Sequence, residues 1–136
     1  MRLEVFKQVK ILKLPSKKHI SKLVSQVCGI LGKQKGENLS VAFVGDKEIE
    51  KLNEHFLKRR GPTDILSFSG EGAFFGEIII NYCAVRSGAK ASGFSMASIF
   101  NRLIVHGVLS LFGMDHHGAQ AVTMLRVEER ILKNLC

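Results

Sequence analysis

The chain has 136 residues, 46% of them hydrophobic and 24% charged, which is ordinary for a globular protein and long enough for one domain, residues 1–136, with its own core. Its three cysteines, Cys28, Cys83 and Cys136, are far apart and form no CxxC pair, which argues against a disulfide framework and a cysteine zinc site. The net charge is +8, and the excess lies in residues 1–60, which have 14 Lys and Arg and 6 Asp and Glu. Residues 61–136 have 6 basic and 6 acidic residues. This concentration of positive charge predicts a polyanion partner such as RNA, with a solvated basic face as the alternative.

The predicted elements of the first half alternate between strands and helices. Residues 3–9 alternate as a strand does, and a helix is predicted to begin at Pro15-Ser16 and to end at Gly32. A second strand at 39–44 is followed by a helix at 47–57, which Gly45-Asp46 precedes. The basic segment Lys58-Arg59-Arg60 then forms a turn.

The second half is predicted to be a hairpin followed by two helices. Strands at 64–69 and 76–82 are joined by the glycine-rich residues 70–72. A buried helix at 95–112, a tight turn at Gly113 and a final helix at 119–135 complete the chain. The resulting order, βαβαββαα, predicts an α+β fold in which helices pack on a small mixed sheet.

No targeting or membrane segment is expected. Residues 1–7 alternate charged and apolar side chains, unlike a signal peptide. The apolar stretch 94–112 contains Asn101, Arg102 and His106, which favours a buried helix over a membrane span. Because the cysteine pattern also indicates a reducing compartment, a cytoplasmic location without membrane association is expected.

A histidine pattern near the end of the predicted buried helix points to metal chemistry. His106 and Ser110 are four residues apart, so they share one helix face, and His116 follows the glycine turn. Zinc held by three protein ligands keeps its fourth position for a water, which it acidifies. Only two of the three positions are imidazoles here, so His117, Asp115, Ser110 or a water would have to complete the ligand set.

The same residues also allow a purely structural interpretation. His106 in an apolar helix is compatible with a core histidine that is hydrogen-bonded to backbone. The Asp115–His117 segment is compatible with an exposed turn. Since metals require strict ligand geometry, the spacing alone leaves both interpretations open.

Three separated motifs connect the chain to a known family. The first is HGVLSLFGMDH, from His106 to His116, and the second is Leu52-Asn53 followed by PTDILSF, from Pro62 to Phe68. The third is Met124 with Glu128 in the last helix. Gly76, before the second hairpin strand, is a further match. In these motifs, and over nearly its whole length, the chain resembles the YbeY family of single-strand endoribonucleases, whose signature is HGxLHLxGxDH.

The resemblance implies an α+β fold and a divalent metal ion, with zinc expected and no small-molecule cofactor. Carried over by position, the metal ligands are His106 and His116, the third-ligand position falls on Ser110, and His117 is a candidate substitute. The resemblance also implies ribosomal RNA or the ribosome as partner, in maturation of the small-subunit 3′ end and in ribosome quality control.

Two family site residues are replaced in this chain. Ser110 stands where the family has a ligand histidine, and Leu57 stands where it has an arginine. An arginine fork is not replaced simply by a nearby charge. The predicted RNA-binding residues are Lys58, Arg59 and Arg60, and the catalytic candidates are Asp115, Arg59 and Arg60.

Three functional hypotheses follow. The first is a metal-dependent endoribonuclease of ribosomal RNA. The second is a catalytically weakened or inactive RNA-binding or ribosome-assembly protein on the same scaffold. The third is a metal-dependent hydrolase of another substrate, although no HExxH glutamate is present to act as the general base of a protease.

Overall fold

The computed structural model describes residues 2–7, 13–33, 36, 38–71, 74–113 and 121–133, which form four strands and five helices. The strands are β1 (Arg2–Lys7), β2 (Asn38–Val44), β3 (Ile65–Ser69) and β4 (Phe74–Asn81). The helices are α1 (Lys17–Leu31), α2 (Asp46–Leu57), α3 (Tyr82–Ser92), α4 (Met96–Leu111) and α5 (Ala121–Lys133). Within these ranges, no helix combines the length and apolar character needed to cross a membrane.

The four strands form one mixed sheet in the order β1-β2-β4-β3. β2 is parallel to both β1 and β4, and β3 pairs antiparallel with β4 in the predicted hairpin. Side chains alternate between the faces of a strand, so Ile78 and Ile80 enter the main core whereas Ile79 faces the other side. The α+β class and the mixed sheet are therefore confirmed.

One face of the sheet is covered by α1 and α4, and Ile131 of α5 is buried in the same core. α1 begins where the Ser16 side chain accepts a hydrogen bond from the His19 backbone N–H, at 3.1 Å, and ends at Gly32 in the left-handed conformation. Its buried side chains recur at three- and four-residue spacing and are Ile20, Leu23, Val24, Val27 and Cys28. The predicted limits of this helix are confirmed because both caps are encoded locally.

The described residues cover the opposite face of the sheet only in part. Ile49 of α2 packs there with Val44, Leu66 and Ile79 in a second, smaller cluster. Beside α2 the sheet leaves a groove of about 760 Å³, lined by Phe6, Lys7, Ala42, Val44, Glu48, Leu52, Phe56, Phe68, Glu77 and Ile79. The two sheet faces thus differ, with a continuous core on one side and a groove on the other.

The predicted element order is wrong at one place, since a helix, α3, lies between the hairpin and α4. Its only buried residue is Val85, so the segment lacks the repeating apolar positions from which a packed helix is predicted. The helix starts because the Asn81 side chain accepts hydrogen bonds from the backbone N–H groups of Cys83 and Ala84, at 2.9 and 3.4 Å. The observed order is βαβαββααα.

The other predicted limits differ from the structure by a few residues. β4 begins at Phe74 rather than at Gly76, and α4 lacks the first and last residue of the predicted range 95–112, which serve as its caps. The predicted last helix, 119–135, is observed over Ala121–Lys133, and its remaining residues lie outside the described ranges.

Candidate functional site

His106 and Ser110 lie one turn apart on α4 and are both half-buried, at the margin of a helix whose other face is in the core. Gly107, next to the histidine, faces the sheet. A β-carbon at this position would lie 3.0 Å from Ile78 Cγ2 and 3.1 Å from Ile65 Cδ1. The missing side chain therefore allows α4 to pack closely on the sheet, which fixes the height of His106 and Ser110 above it.

His106 contacts a carboxylate on another helix. Its Nδ1 lies 3.1 Å from Oε1 of Glu128 on α5, and the two side chains are 28% and 13% exposed. An ionised carboxylate only accepts hydrogen bonds, so it pairs with a ring that carries hydrogen on Nδ1. The sequence placed both residues in family motifs without indicating that they meet, because 22 positions and a change of helix separate them.

The end of α4 lies against the hairpin. The Ser69 hydroxyl donates a hydrogen bond to the Leu111 carbonyl at 3.4 Å. A β-carbon built on Gly76 would lie 2.5 Å from Leu111 Cδ2 and 2.7 Å from the Phe68 carbonyl oxygen. Because this backbone oxygen belongs to the neighbouring strand β3 and has no alternative rotamer, only glycine fits here with this hairpin geometry.

The remaining candidate ligands follow α4 directly. Asp115, His116 and His117 lie in residues 114–120, outside the described residues. In the part of the chain that the structure describes, no three His, Cys, Asp or Glu side chains are grouped as for a metal ion. The three-point metal site remains a prediction, and His106 is its one described imidazole.

The described donor chemistry nevertheless fits a metal site. Histidines that bind metals almost always donate their other ring N–H to a carboxylate, a carbonyl or a water, which fixes the tautomer of the ring. His106 makes such a contact with Glu128. Ser110 presents a hydroxyl one turn later on the same helix.

The basic residues Lys58, Arg59 and Arg60 are exposed and directly follow α2. Lys58 ends this helix in the left-handed conformation, with φ at 56°. Among the side chains described, none of the three is paired with a carboxylate, and none contacts His106. α2 packs on the face of the sheet opposite α4, so the described contacts do not bring the basic segment and the histidine together.

Leu57, which the sequence comparison predicts to stand at an arginine position, is the last residue of α2, and its side chain is 42% exposed. Phe56, before it, is 57% exposed and lies with its ring centroid 5.5 Å from that of Phe68. The departure noted in the sequence is thus a change at an accessible surface.

Two buried asparagines hold the chain between α2 and β3 in place. Asn53 donates a side-chain hydrogen bond to the Gly61 carbonyl at 3.0 Å. Asn81 donates to the Asp46 carboxylate at 2.7 Å and to the Thr63 carbonyl at 3.0 Å. Asn53 belongs to the Leu-Asn motif, whereas sequence reasoning missed Asn81, for which an asparagine at a strand-to-helix junction was the available signal.

Comparison with known proteins agrees with this architecture. The family model described as Endoribonuclease YbeY matches residues 5–136. An Endoribonuclease YbeY of Thermodesulfovibrio yellowstonii is 34% identical, with 97% of this chain and 96% of the relative covered. One of Treponema pallidum is also 34% identical, with 86% and 81% covered.

The fold is similar to a solved structure as well. The solution structure of TM1509 from Thermotoga maritima superposes with a TM-score of 0.62 at 21% identity, covering 96% of this chain and 87% of that one. At this identity the likeness concerns the fold. Together with the family match over almost the entire length, it leads to one conclusion: the chain belongs to the YbeY family.

Proposed function

We propose that this protein is a metal-dependent endoribonuclease that acts on ribosomal RNA, in maturation of the small-subunit 3′ end and in ribosome quality control. The relatives it matches are named endoribonucleases. The observation that supports metal dependence is the contact of 3.1 Å between His106 and Glu128, on the helix that carries the family's histidine motif.

In this proposal His106 and His116 hold a divalent ion, for which zinc is expected. The third position is filled by His117, Asp115 or a water, because Ser110 is a much weaker ligand than an imidazole. The metal, when bound, supplies a Lewis acid for the scissile phosphate and a water that ionises readily. The chain's own residues orient the ligands and hold the RNA.

The exposed cations after α2 are the proposed contacts to RNA phosphates. Lys58, Arg59 and Arg60 have no described carboxylate partner that would compete with a phosphate. A guanidinium can contact two phosphate oxygens and stabilise charge that develops during cleavage, so Arg59 and Arg60 stay catalytic candidates. Asp115 stays a candidate for proton transfer.

Ser110→His tests the metal hypothesis most directly. Restoring an imidazole one turn after His106 is expected to raise zinc affinity at least tenfold, because ligand number and type set affinity. Affinity is measured by competition with a chromophoric chelator. Ser110→Ala is the control and is expected to bind as the wild type does.

If the wild type already binds zinc as tightly as Ser110→His, the interpretation of Ser110 as a lost ligand is wrong. His116→Ala completes the series and is expected to abolish stoichiometric metal. Cleavage of a labelled single-stranded RNA, with and without chelator, is followed on the same samples.

A second candidate function is favoured by Ser110 and Leu57 together. A protein that has lost a ligand and an arginine, yet keeps an exposed basic segment, would bind ribosomal RNA during ribosome assembly without cutting it. This alternative predicts no metal-dependent cleavage by the wild type, together with RNA binding that weakens steeply as salt is added.

A further inference from the structure

We propose that Glu128 is a positioning residue, which holds His106 in the tautomer protonated at Nδ1 and directs Nε2 as the metal-binding nitrogen. The idea rests on the proposed function for the identity of the metal site. The tautomer itself follows from the contact between the two side chains, and it can be measured without metal.

The geometry of the pair restricts the ring. Nδ1 of His106 lies 3.1 Å from Oε1 of Glu128, so one ring edge is directed at α5. The two side chains are 28% and 13% exposed, which limits competition from solvent for this hydrogen bond. The hydrogen bond therefore restrains both the orientation of the imidazole ring and the choice of ring nitrogen that carries the hydrogen.

The chemistry of the pair assigns the two ring nitrogens. In a neutral imidazole one nitrogen carries hydrogen and the other carries a lone pair. Since the carboxylate accepts from Nδ1, the lone pair is on Nε2. A neutral histidine in water favours hydrogen on Nε2 instead, so without Glu128 the nitrogen required by this metal site would be the protonated one.

The competing interpretation is a structural ion pair that fastens α5 to α4. Ile131, one turn beyond Glu128, is 1% exposed within the main core and supplies an apolar contact for α5. Loss of the carboxylate should therefore leave α5 in place. A structural pair would involve an imidazolium with hydrogen on both nitrogens, which differs spectroscopically from the Nδ1-protonated tautomer.

The first experiment measures the tautomer of His106 in chelator-treated protein, by long-range ¹H–¹⁵N correlation in mildly alkaline buffer. The wild type is expected to show hydrogen on Nδ1. Glu128→Ala is expected to shift the population toward hydrogen on Nε2, with Glu128→Gln between the two because its amide oxygen still accepts. Glu129→Ala changes the exposed neighbouring carboxylate and is expected to match the wild type.

The second experiment measures zinc affinity of the same variants by chelator competition. Removing such a partner typically lowers metal affinity 10–100-fold, so about this loss is expected for Glu128→Ala, less for Glu128→Gln and none for Glu129→Ala. Circular dichroism of each variant checks that α5 remains folded.

Three results would overturn the proposal: an imidazolium in the wild type, hydrogen on Nε2 in the wild type, or a tautomer that does not respond to Glu128→Ala. A different result separates it from the function proposed above. If the tautomer depends on Glu128 but the wild type binds no divalent metal, metal dependence is refuted and the tautomer assignment is supported.

Discussion

Gly107 shows how one missing side chain determines the position of the site. The neighbouring histidine is held over the sheet by a close approach of α4. A β-carbon at position 107 would lie about 0.3–0.4 Å closer to two isoleucines than ordinary van der Waals contact allows. Nothing in the HGxL motif distinguishes a glycine needed for catalysis from one needed for packing. The described contacts favour packing.

Gly107→Ala is expected to lower the free energy of unfolding by about 1–3 kcal/mol, because the added methyl overpacks the contact with Ile78 and Ile65. Gly29→Ala is the matched control, since it also replaces a helical glycine. Apart from its chain neighbours and its own helix backbone, nothing lies within 4 Å of the added β-carbon. It is expected to raise stability by about 0.5–1 kcal/mol. Urea unfolding measures both. Equal stability changes for the two variants would contradict the packing argument.

At the residue scale, the sequence singled out His106 as a candidate ligand but not its contact with Glu128. His106 stood out through its spacing to Ser110 and His116. Glu128 was recognised only as part of a motif, since no spacing rule links residues on two helices whose packing is unknown. The contact depends on how α5 lies against α4, which is a property of the tertiary structure.

At the scale of elements, caps explain where prediction succeeded and where it failed. Ser16 and Gly32 delimit α1 by interactions within a few residues, so its limits could be predicted. α3 buries little and begins at Asn81, which the sequence alone could assign equally well to the end of a strand. The partners of Asn81 at positions 46 and 63 are distant in sequence and could not be foreseen.

Asn81→Ala is expected to destabilise the protein by about 2–4 kcal/mol. The variant loses a helix cap and leaves the partly buried Thr63 carbonyl without its side-chain donor. Ser95→Ala, which removes only the cap of α4, should cost about 1 kcal/mol. Thermal or urea unfolding compares the two. A loss at Asn81 no larger than that at Ser95 would show that the tertiary hydrogen bonds contribute little.

At the scale of the whole molecule, the exposed cations of residues 1–60 belong to elements on both faces of the sheet. The excess of positive charge was assigned to residues 1–60 from the sequence, but not to a face. α1, which carries exposed lysines at positions 17, 18 and 22, packs with α4 on one face, whereas the basic segment follows α2, which packs on the other. Strand order and helix side arise from packing of the whole chain, so sequence pattern alone could not supply this arrangement.

The basic segment is expected to account for a defined share of RNA binding. Each phosphate contact to single-stranded RNA contributes about 0.7 to the slope of log affinity against log salt, so the triple variant Lys58→Asn, Arg59→Gln, Arg60→Gln should reduce the slope by about 2. Asparagine at 58 tolerates the left-handed backbone. Fluorescence anisotropy with an unstructured oligonucleotide measures this.

The matched control removes three exposed lysines of α1, at positions 17, 18 and 22, by replacement with glutamine. It is expected to retain the wild-type slope. If both triple variants lose the same slope, RNA binding is a diffuse response to net charge, and the segment after α2 has no special role.

The close approach at Gly76 has a consequence for reading related sequences. A side chain there would collide with the backbone oxygen of Phe68 and with Leu111, and trimming position 111 would remove only the second collision. A relative with any other residue at this position must therefore alter the backbone of the hairpin here, as well as the packing of position 111. Position 76 thus serves as a marker of whether a homologue keeps this hairpin geometry next to the end of α4, even where the histidines themselves have changed.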